Sequence, residues 1–291
     1  MNKIKKYEVI NVSNWESIKE GKGYSESYWI IDPTSRNRGL FKLPKYNKDY
    51  DWYDGSHWAE KIVSEIGKVL GLDMPEVDLA IYEGRKGCIS YRFLKKHESL
   101  KEGVDVMSVE ITKDKRDNYI LDNILDDIRE YNLIKDFIEM LLFDGFVGQT
   151  DRHEENWGII TSEKKIQTPK LAPVYDNASS LARERLPHHV QQLLNDESYF
   201  YTYLEKCKSC IKLESGKDIT QYEMLDYLHE NYTDLYTKFI CKLKKVDEEV
   251  IKRIVFKVPE DFMSGNQKEL VIKILLARKK RMIDIFKKEG D

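Results

Sequence analysis

Short apolar and alternating runs fill the first hundred residues, and they predict a β-rich region. Turn-forming residues separate four of these runs, at 28–31, 39–43, 76–82 and 87–93. Between the second and third runs, apolar side chains recur at helical spacing over 57–70, and Gly71 follows where a C-terminal cap is expected. The pattern predicts a small sheet interrupted by one helix.

After residue 95 the apolar positions recur mostly at helical spacing. Helices are predicted over 118–129, over 133–147 and throughout the chain beyond Pro187, where the last one covers 269–288. A hairpin is predicted between Trp157 and Val174. We therefore expect an α+β fold with two lobes, a small β-rich N-lobe at 1–95 and a larger helical C-lobe at 96–291.

Composition narrows the class of protein. The chain has 291 residues, 41% of them apolar, and its 48 Lys+Arg against 51 Asp+Glu give a net charge of -3. That balance argues against a dedicated nucleic-acid or membrane-surface binder. The chain has neither an apolar stretch of bilayer-spanning length nor a secretion signal, so we expect a cytoplasmic protein without membrane partners. Four cysteines are too few for a disulfide scaffold and are expected to be reduced thiols.

The sharpest chemical signal is a loop between a predicted helix and a predicted strand, Gly148-Gln-Thr-Asp-Arg-His-Glu-Glu-Asn156. Asp151 and Asn156 have the spacing of the aspartate and asparagine in the protein-kinase catalytic loop. The aspartate accepts the proton of the acceptor hydroxyl, and the asparagine holds a metal ion on the phosphates. Asp176, at the end of the predicted hairpin, is either a further Mg²⁺ ligand or a turn residue. Together these signals predict a phosphotransferase that uses ATP and Mg²⁺.

The β-rich region offers candidates for the parts that hold a nucleotide. A loop before the first predicted strand contains small residues that would let backbone amides approach phosphate oxygens, namely Gly21, Gly23, Ser25 and Ser27. Lys42 lies in an apolar strand, where an inward-pointing ammonium needs an anion, and Glu60 begins the following helix. The alternative is that Lys42 is a surface residue and that Lys45 takes its place.

This order of motifs resembles the HipA-like serine/threonine kinases of bacterial toxin–antitoxin systems, and it is similar to their shorter, HipT- or CtkA-like members. The resemblance runs from about residue 21 to residue 180. It implies a two-lobed protein-kinase-like fold, shared with phosphatidylinositol kinases, and a set of roles. Asp151 would be the catalytic aspartate, Lys42 the phosphate-binding lysine paired with Glu60, Asn156 and Asp176 the magnesium ligands, and His153 a residue that shapes the loop.

The same resemblance implies features outside the catalytic loop. The hinge that contacts adenine would lie at 90–94, so Tyr91, Arg92 and Phe93 are expected to bind the nucleotide. By resemblance alone, Ser25 and Ser27 are candidates for autophosphorylation. A dianion among the loop amides would compete with the ATP phosphates. A toxin role, an antitoxin partner and a protein substrate are implied, and aminoacyl-tRNA synthetases are suggested as targets by resemblance alone. Because the chain begins close to the phosphate loop, we expect no N-terminal subdomain of the full-length HipA type.

Several alternatives stay open at this point. A lipid or small-molecule kinase would use the same Asp-Arg-His-x-x-Asn loop, and a pseudokinase scaffold would bind nucleotide without transferring phosphate. The pair Cys207 and Cys210 has no second pair of zinc ligands nearby, which favours free thiols. The basic run at 278–281 interrupts an apolar helical pattern and is interpreted as a solvated helix face.

Overall fold

The computed structural model describes residues 4–19, 26–111, 116–163 and 168–287. It is a mixed α+β structure, which confirms the predicted class. The strands of the described ranges are β1 (Val9–Asn11), β2 (Glu16–Lys19), β3 (Ser27–Ile31), β4 (Arg38–Lys42), β5 (Tyr46–Asn47), β6 (Trp52–Tyr53), β7 (Val77–Tyr82), β8 (Arg85–Tyr91), β9 (Glu98–Glu102), β10 (Gly158–Ser162) and β11 (Lys170–Leu171).

Most helices lie after residue 115. In chain order the helices are α1 (Ser56–Leu70), α2 (Gly103–Val106), α3 (Leu121–Arg129), α4 (Ile134–Val147), α5 (Pro187–Asn195), α6 (Glu197–Glu205), α7 (Gln221–Asn231), α8 (Thr233–Leu243), α9 (Glu248–Val255) and α10 (Gly265–Lys287). In the part of the chain that the structure describes, none of them combines the length and apolar character needed to cross a membrane.

The chain packs as two compact units, each made of three segments. The first unit comprises Met1–Phe93, Asp176–Phe200 and Val246–Leu275. The second comprises Leu94–Tyr175, Tyr201–Lys245 and Leu276–Asp291. The segments of the two units alternate along the chain, so the units differ from the predicted lobes. The lobe boundary at residue 95 stays a prediction.

A six-stranded sheet organises the first unit, with the strand order β1-β7-β8-β4-β3-β2. Side chains alternate between the two faces of a strand. In β4, Phe41 therefore enters an apolar cluster that also contains Ile30 and Ile89, while Lys42 lies on the opposite face. Helix α1 packs against β7 and β8, and it ends at Gly71, whose φ of 77° is left-handed as the predicted cap requires.

The second unit combines helices with a three-stranded antiparallel sheet in the order β11-β10-β9. The predicted hairpin is confirmed as β10 and β11, but its other neighbour, β9, was not anticipated. The expectation of continuous helix beyond residue 187 is wrong between α6 and α7, where isolated bridges join Lys208 to Thr220 and Lys212 to Ile120. Gly216, with a φ of 72°, breaks the helical path there.

Candidate active site

The end of α4 sets the start of the Asp151 loop. Gly148 has a φ of 73°, and the backbone N–H groups of Gly148 and Gln149 both donate to the Asp144 carbonyl. A Cβ atom at Gly148 would lie 3.1 Å from the guanidinium carbon of Arg278. The left-handed turn and this close approach both favour glycine.

Arg152 is the buried centre of the loop. Its Nε and Nη2 atoms donate to the carboxylate oxygens of Asp144 at 2.9 and 2.7 Å. Its Nη1 atom donates to the carbonyls of Asn156 at 2.8 Å and Tyr175 at 2.6 Å. Burial raises the pKa of Asp144, and the charge of Arg152 opposes that shift. Arg152 thus ties the Asp151 loop to Tyr175.

Asp151 and Asn156 are joined inside the same loop. Asn156 Nδ2 donates to the Asp151 carbonyl at 2.7 Å, and the Asp151 N–H donates to Gln149 Oε1 at 3.0 Å. Since the first bond uses the amide nitrogen of Asn156, the amide oxygen is the atom that this side chain offers to a cation. The Asp151 side chain is half-buried, which leaves it reachable from outside the loop.

His153 supports the turn between these two residues. Its Nδ1 atom accepts the N–H of Glu155 at 3.2 Å, and its carbonyl accepts the N–H of Asn156 at 2.9 Å. Both ring and backbone therefore hold the loop, which supports the predicted shaping role. That role stays a prediction.

A charge cluster surrounds Lys42 within the first unit. Lys42 Nζ donates to Asp176 Oδ1 at 3.0 Å, and Glu60 from α1 is 1% exposed. Burial alone would lower the pKa of the Lys42 ammonium, but the charges of Asp176 and Glu60 outweigh it and hold the pKa above its ordinary value. Lys45 is exposed. The contact to Asp176 therefore favours Lys42 over Lys45 as the phosphate-binding lysine.

The other predicted nucleotide contacts are placed only in part. Gly21, Gly23 and Ser25 lie outside the described residues. Ser27 opens β3 and pairs with Lys42 on β4. In the predicted hinge, the N–H of Tyr91 donates to Glu76 and that of Arg92 to Arg38, at 2.9 and 2.8 Å. Those two N–H groups are therefore already bonded inside the unit, and the nucleotide contact of Tyr91, Arg92 and Phe93 stays a prediction.

Residues far along the chain also support the loop, and sequence reasoning missed them. Gln221, the first residue of α7, donates from Nε2 to the Gln149 carbonyl. Trp157 Nε1 donates to the Tyr119 hydroxyl at 2.8 Å, and that hydroxyl donates to the Arg152 carbonyl at 2.9 Å. No local pattern marks such contacts, because they depend on burial and on partners tens of residues away.

One interpretation of the basic run at 278–281 is wrong. Arg278 is 1% exposed and donates from Nη1 to the carbonyl of Gly145 at 2.9 Å, near the C-terminal end of α4. A cation there is favoured by the negative end of the helix dipole. The run is therefore not a uniformly solvated face, and Arg278 holds the helix end from which the Asp151 loop starts.

Solved structures share this fold. The chain superposes on the crystal structure of the Helicobacter pylori proinflammatory kinase CtkA with a TM-score of 0.80 and 21% identity, covering 97% of this chain and 98% of that one. It also matches the Shewanella oneidensis MR-1 toxin–antitoxin complex of HipA, HipB and operator DNA with a TM-score of 0.59 and 14% identity, covering 92% and 66%. The architecture is that of a kinase of the CtkA and HipA class.

The chain belongs to the family described as HipA-like C-terminal domain, which matches residues 6–231. A curated relative, the serine/threonine-protein kinase CtkA of Helicobacter pylori (strain J99 / ATCC 700824), is 25% identical over 258 residues, which are 83% of this chain and 75% of that protein. The predicted family and fold class are both confirmed.

Proposed function

We propose that this chain is a serine/threonine protein kinase that uses ATP and Mg²⁺. The observation that carries the proposal is the partly buried charge cluster in which Lys42 lies with Asp176 and Glu60. A lysine between two acidic groups, one on a helix and one after a hairpin, is the arrangement that kinases use to hold the ATP phosphates and a metal ion. The curated relative is named a serine/threonine-protein kinase, and this supports a protein hydroxyl as acceptor.

The proposed reaction is a single phosphoryl transfer. The acceptor hydroxyl oxygen bonds to the γ-phosphorus while the bond from that phosphorus to the bridging oxygen of ADP breaks. Asp151 takes the hydroxyl proton, and ADP leaves with the electron pair of the broken bond. Lys42 neutralises phosphate charge, and Glu60 keeps the ammonium in place. Most of the rate enhancement would come from positioning and charge neutralisation.

Asn156 and Asp176 fit the expected metal. Mg²⁺ prefers oxygen ligands, and these residues offer an amide oxygen and a carboxylate. Bound there, the ion would neutralise charge on the β- and γ-phosphates. Within the second unit, Arg152 supports Asn156, because its Nη1 atom donates to the Asn156 carbonyl.

The biological setting is part of the same proposal. We place the activity in the cytoplasm, where ATP is available and where the four free cysteines stay reduced. The structural match to a complex of HipA with HipB favours a toxin role with an antitoxin partner. Autophosphorylation at Ser25 or Ser27 is proposed as a way of disabling the phosphate loop. Aminoacyl-tRNA synthetases stay the suggested class of target.

An acceptor-class assay tests the proposal. The purified chain is incubated with γ-labelled ATP, Mg²⁺ and a cell extract, and label is measured separately in the protein and lipid fractions. We expect label on serine or threonine of proteins, absent with an Asp151→Asn variant. Label in lipid alone would establish a lipid kinase, and ATP binding without any labelled product would establish a scaffold. Either outcome overturns the proposal.

A further inference from the structure

The segment after Asp176 contains backbone that is unfavourable for ordinary residues. Leu181 and Ala182 have consecutive left-handed φ angles of 58° and 57°, and Asp176 itself has a φ of 53°. Left-handed backbone is disfavoured for residues that carry a Cβ atom. Both Leu181 and Ala182 are buried. Such strain persists only where the surroundings hold the chain, and it is concentrated at functional sites.

Arg183 holds this segment in place. Its Nη1 atom pairs with Asp54 Oδ2, its Nη2 donates to Ser179 Oγ at 3.1 Å, and its carbonyl accepts the N–H of Gly55 at 2.9 Å. The side chains of Arg183 and Asp54 are only 11% and 6% exposed. A buried ion pair backed by a main-chain hydrogen bond therefore follows directly after the two left-handed residues.

Asp54 connects the same pair to the beginning of α1. Its Oδ1 atom accepts the N–H of Ser56, the first residue of the helix, at 3.0 Å. The same oxygen accepts a hydrogen bond from the Lys45 N–H at 3.1 Å. In the opposite direction, the Asp54 N–H donates to the Lys45 carbonyl at 2.9 Å. One carboxylate thus joins the end of the β4 segment, the start of α1 and the segment after Asp176.

We propose that Asp54 and Arg183 are positioning residues, which hold Glu60 and Asp176 near Lys42. In protein kinases the helix glutamate and the metal-binding aspartate must both be in place, and phosphorylation of the activation loop, the segment after that aspartate, helps to control this. In this chain, the ion pair between Asp54, just before α1, and Arg183, in the segment after Asp176, holds both groups in place instead of a phosphate. The active arrangement therefore needs no phosphate on residues 177–186. The inference rests on the proposed kinase function.

Enzyme kinetics test the pair directly. Asp54→Asn keeps an acceptor for the Ser56 N–H but removes the charge, and Arg183→Met removes the cation. We expect both to lower kcat by about 100-fold at saturating ATP and acceptor, as small misplacements of reacting groups do, with little change in the KM for acceptor. Arg183→Lys, which keeps the charge, should retain more activity than Arg183→Met. Matched controls are Asp49→Asn and Arg253→Met, because both side chains are exposed.

Hydrogen exchange gives a readout that does not need activity. In Asp54→Asn and Arg183→Met the amides of 177–186 and of the first turn of α1 should exchange faster, while those of α4 stay unchanged. Folded variants with wild-type kcat, or with unchanged exchange in both segments, would overturn the inference, even if their melting temperature falls. Absence of phosphoryl transfer by the wild type would overturn the proposed function, while the exchange data would still test the pair.

Discussion

Lys42 shows how one side chain of the sheet interacts with two acidic groups of the same unit, Asp176 and Glu60 of α1. Its position in an apolar strand indicated that an inward ammonium would need an anion, and the structure supplies Asp176 and Glu60. That inference rests on the rule that a buried charge demands a partner, and the phosphate-binding role of Lys42 stays a prediction. The inference did not separate Lys42 from Lys45, because strand alternation alone leaves the register open by a residue or more.

Replacing Lys42 with Met leaves the carboxylates of Asp176 and Glu60 without their cation and removes the proposed phosphate contact. We expect kcat/KM for ATP to fall by at least about 100-fold, the usual loss when one preorganised charge contact is removed. Lys45→Met is the matched control, since its exposed side chain belongs to the same segment. Initial rates over a range of ATP concentrations measure both. A larger loss for Lys45→Met would contradict the assignment.

His57, buried at the start of α1, makes stability depend on pH. Burial lowers the pKa of His57 to about 4, and the charge of Lys86 adds a smaller effect in the same direction. A hydrogen bond with the Phe262 backbone raises the pKa but does not outweigh burial. The unfolded chain binds the proton more tightly, with a pKa of about 6.5. The contribution of neutral His57 to stability is therefore full above pH 6.5 and is lost as the pH falls through 4. The free energy of unfolding should fall by about 2 kcal/mol from this group between pH 7 and 4.5.

Urea unfolding at these two pH values measures that dependence. Paired carboxylates also lose stability on acidification, so the comparison is with His57→Gln, in which they are unchanged. We expect the loss between pH 7 and 4.5 to be about 2 kcal/mol smaller in the variant. Equal losses in both proteins would show that His57 is protonated in the folded state at an ordinary pKa.

At the scale of elements, the glycines that follow two helices show two different constraints. One is left-handed backbone alone, and the other is left-handed backbone together with a close side-chain contact. Gly71 after α1 and Gly148 after α4 have φ angles of 77° and 73°, but a Cβ atom at Gly71 would meet nothing within 4 Å. Gly71→Ala should therefore lower the free energy of unfolding by about 1 kcal/mol, the cost of the left-handed backbone alone. Gly148→Ala should cost roughly 1 kcal/mol more, because Arg278 must move. Urea unfolding of both variants checks the difference, and equal losses would contradict it.

Local pattern accounts for some elements and not for others. α1 and α4 were predicted to within one residue at each end, because strong apolar periodicity and a following glycine mark them. β9 was missed, since its sequence Glu-Ser-Leu-Lys-Glu is mostly polar and it forms by pairing with β10, more than fifty residues later. The same limit applies to the site. Asp151 and Asn156 carry a motif, whereas Gln221 supports them from another helix.

At the scale of the whole molecule, nucleotide binding should stabilise the fold. A ligand that binds only the folded chain adds about 2.7 kcal/mol at 100 times its Kd. Mg-ATP should therefore raise the melting temperature of the wild type and of Asp151→Asn, whose substitution removes the base and not the binding groups. Lys42→Met and Asp176→Asn should lose most of the shift. A wild-type shift retained in all three variants would place the nucleotide elsewhere.

The central claim is that this chain transfers phosphate and that Asp151 carries out the proton transfer. Intact-mass and phosphosite analysis tests it most directly, after incubation with Mg-ATP alone and with casein as a general acceptor. We expect phosphate on serine or threonine of the chain or of casein with the wild type, and none with Asp151→Ala or Asp176→Ala variants that are shown to be folded. Phosphate gained equally by the Asp151→Ala variant, or by no protein in either wild-type incubation, would contradict it.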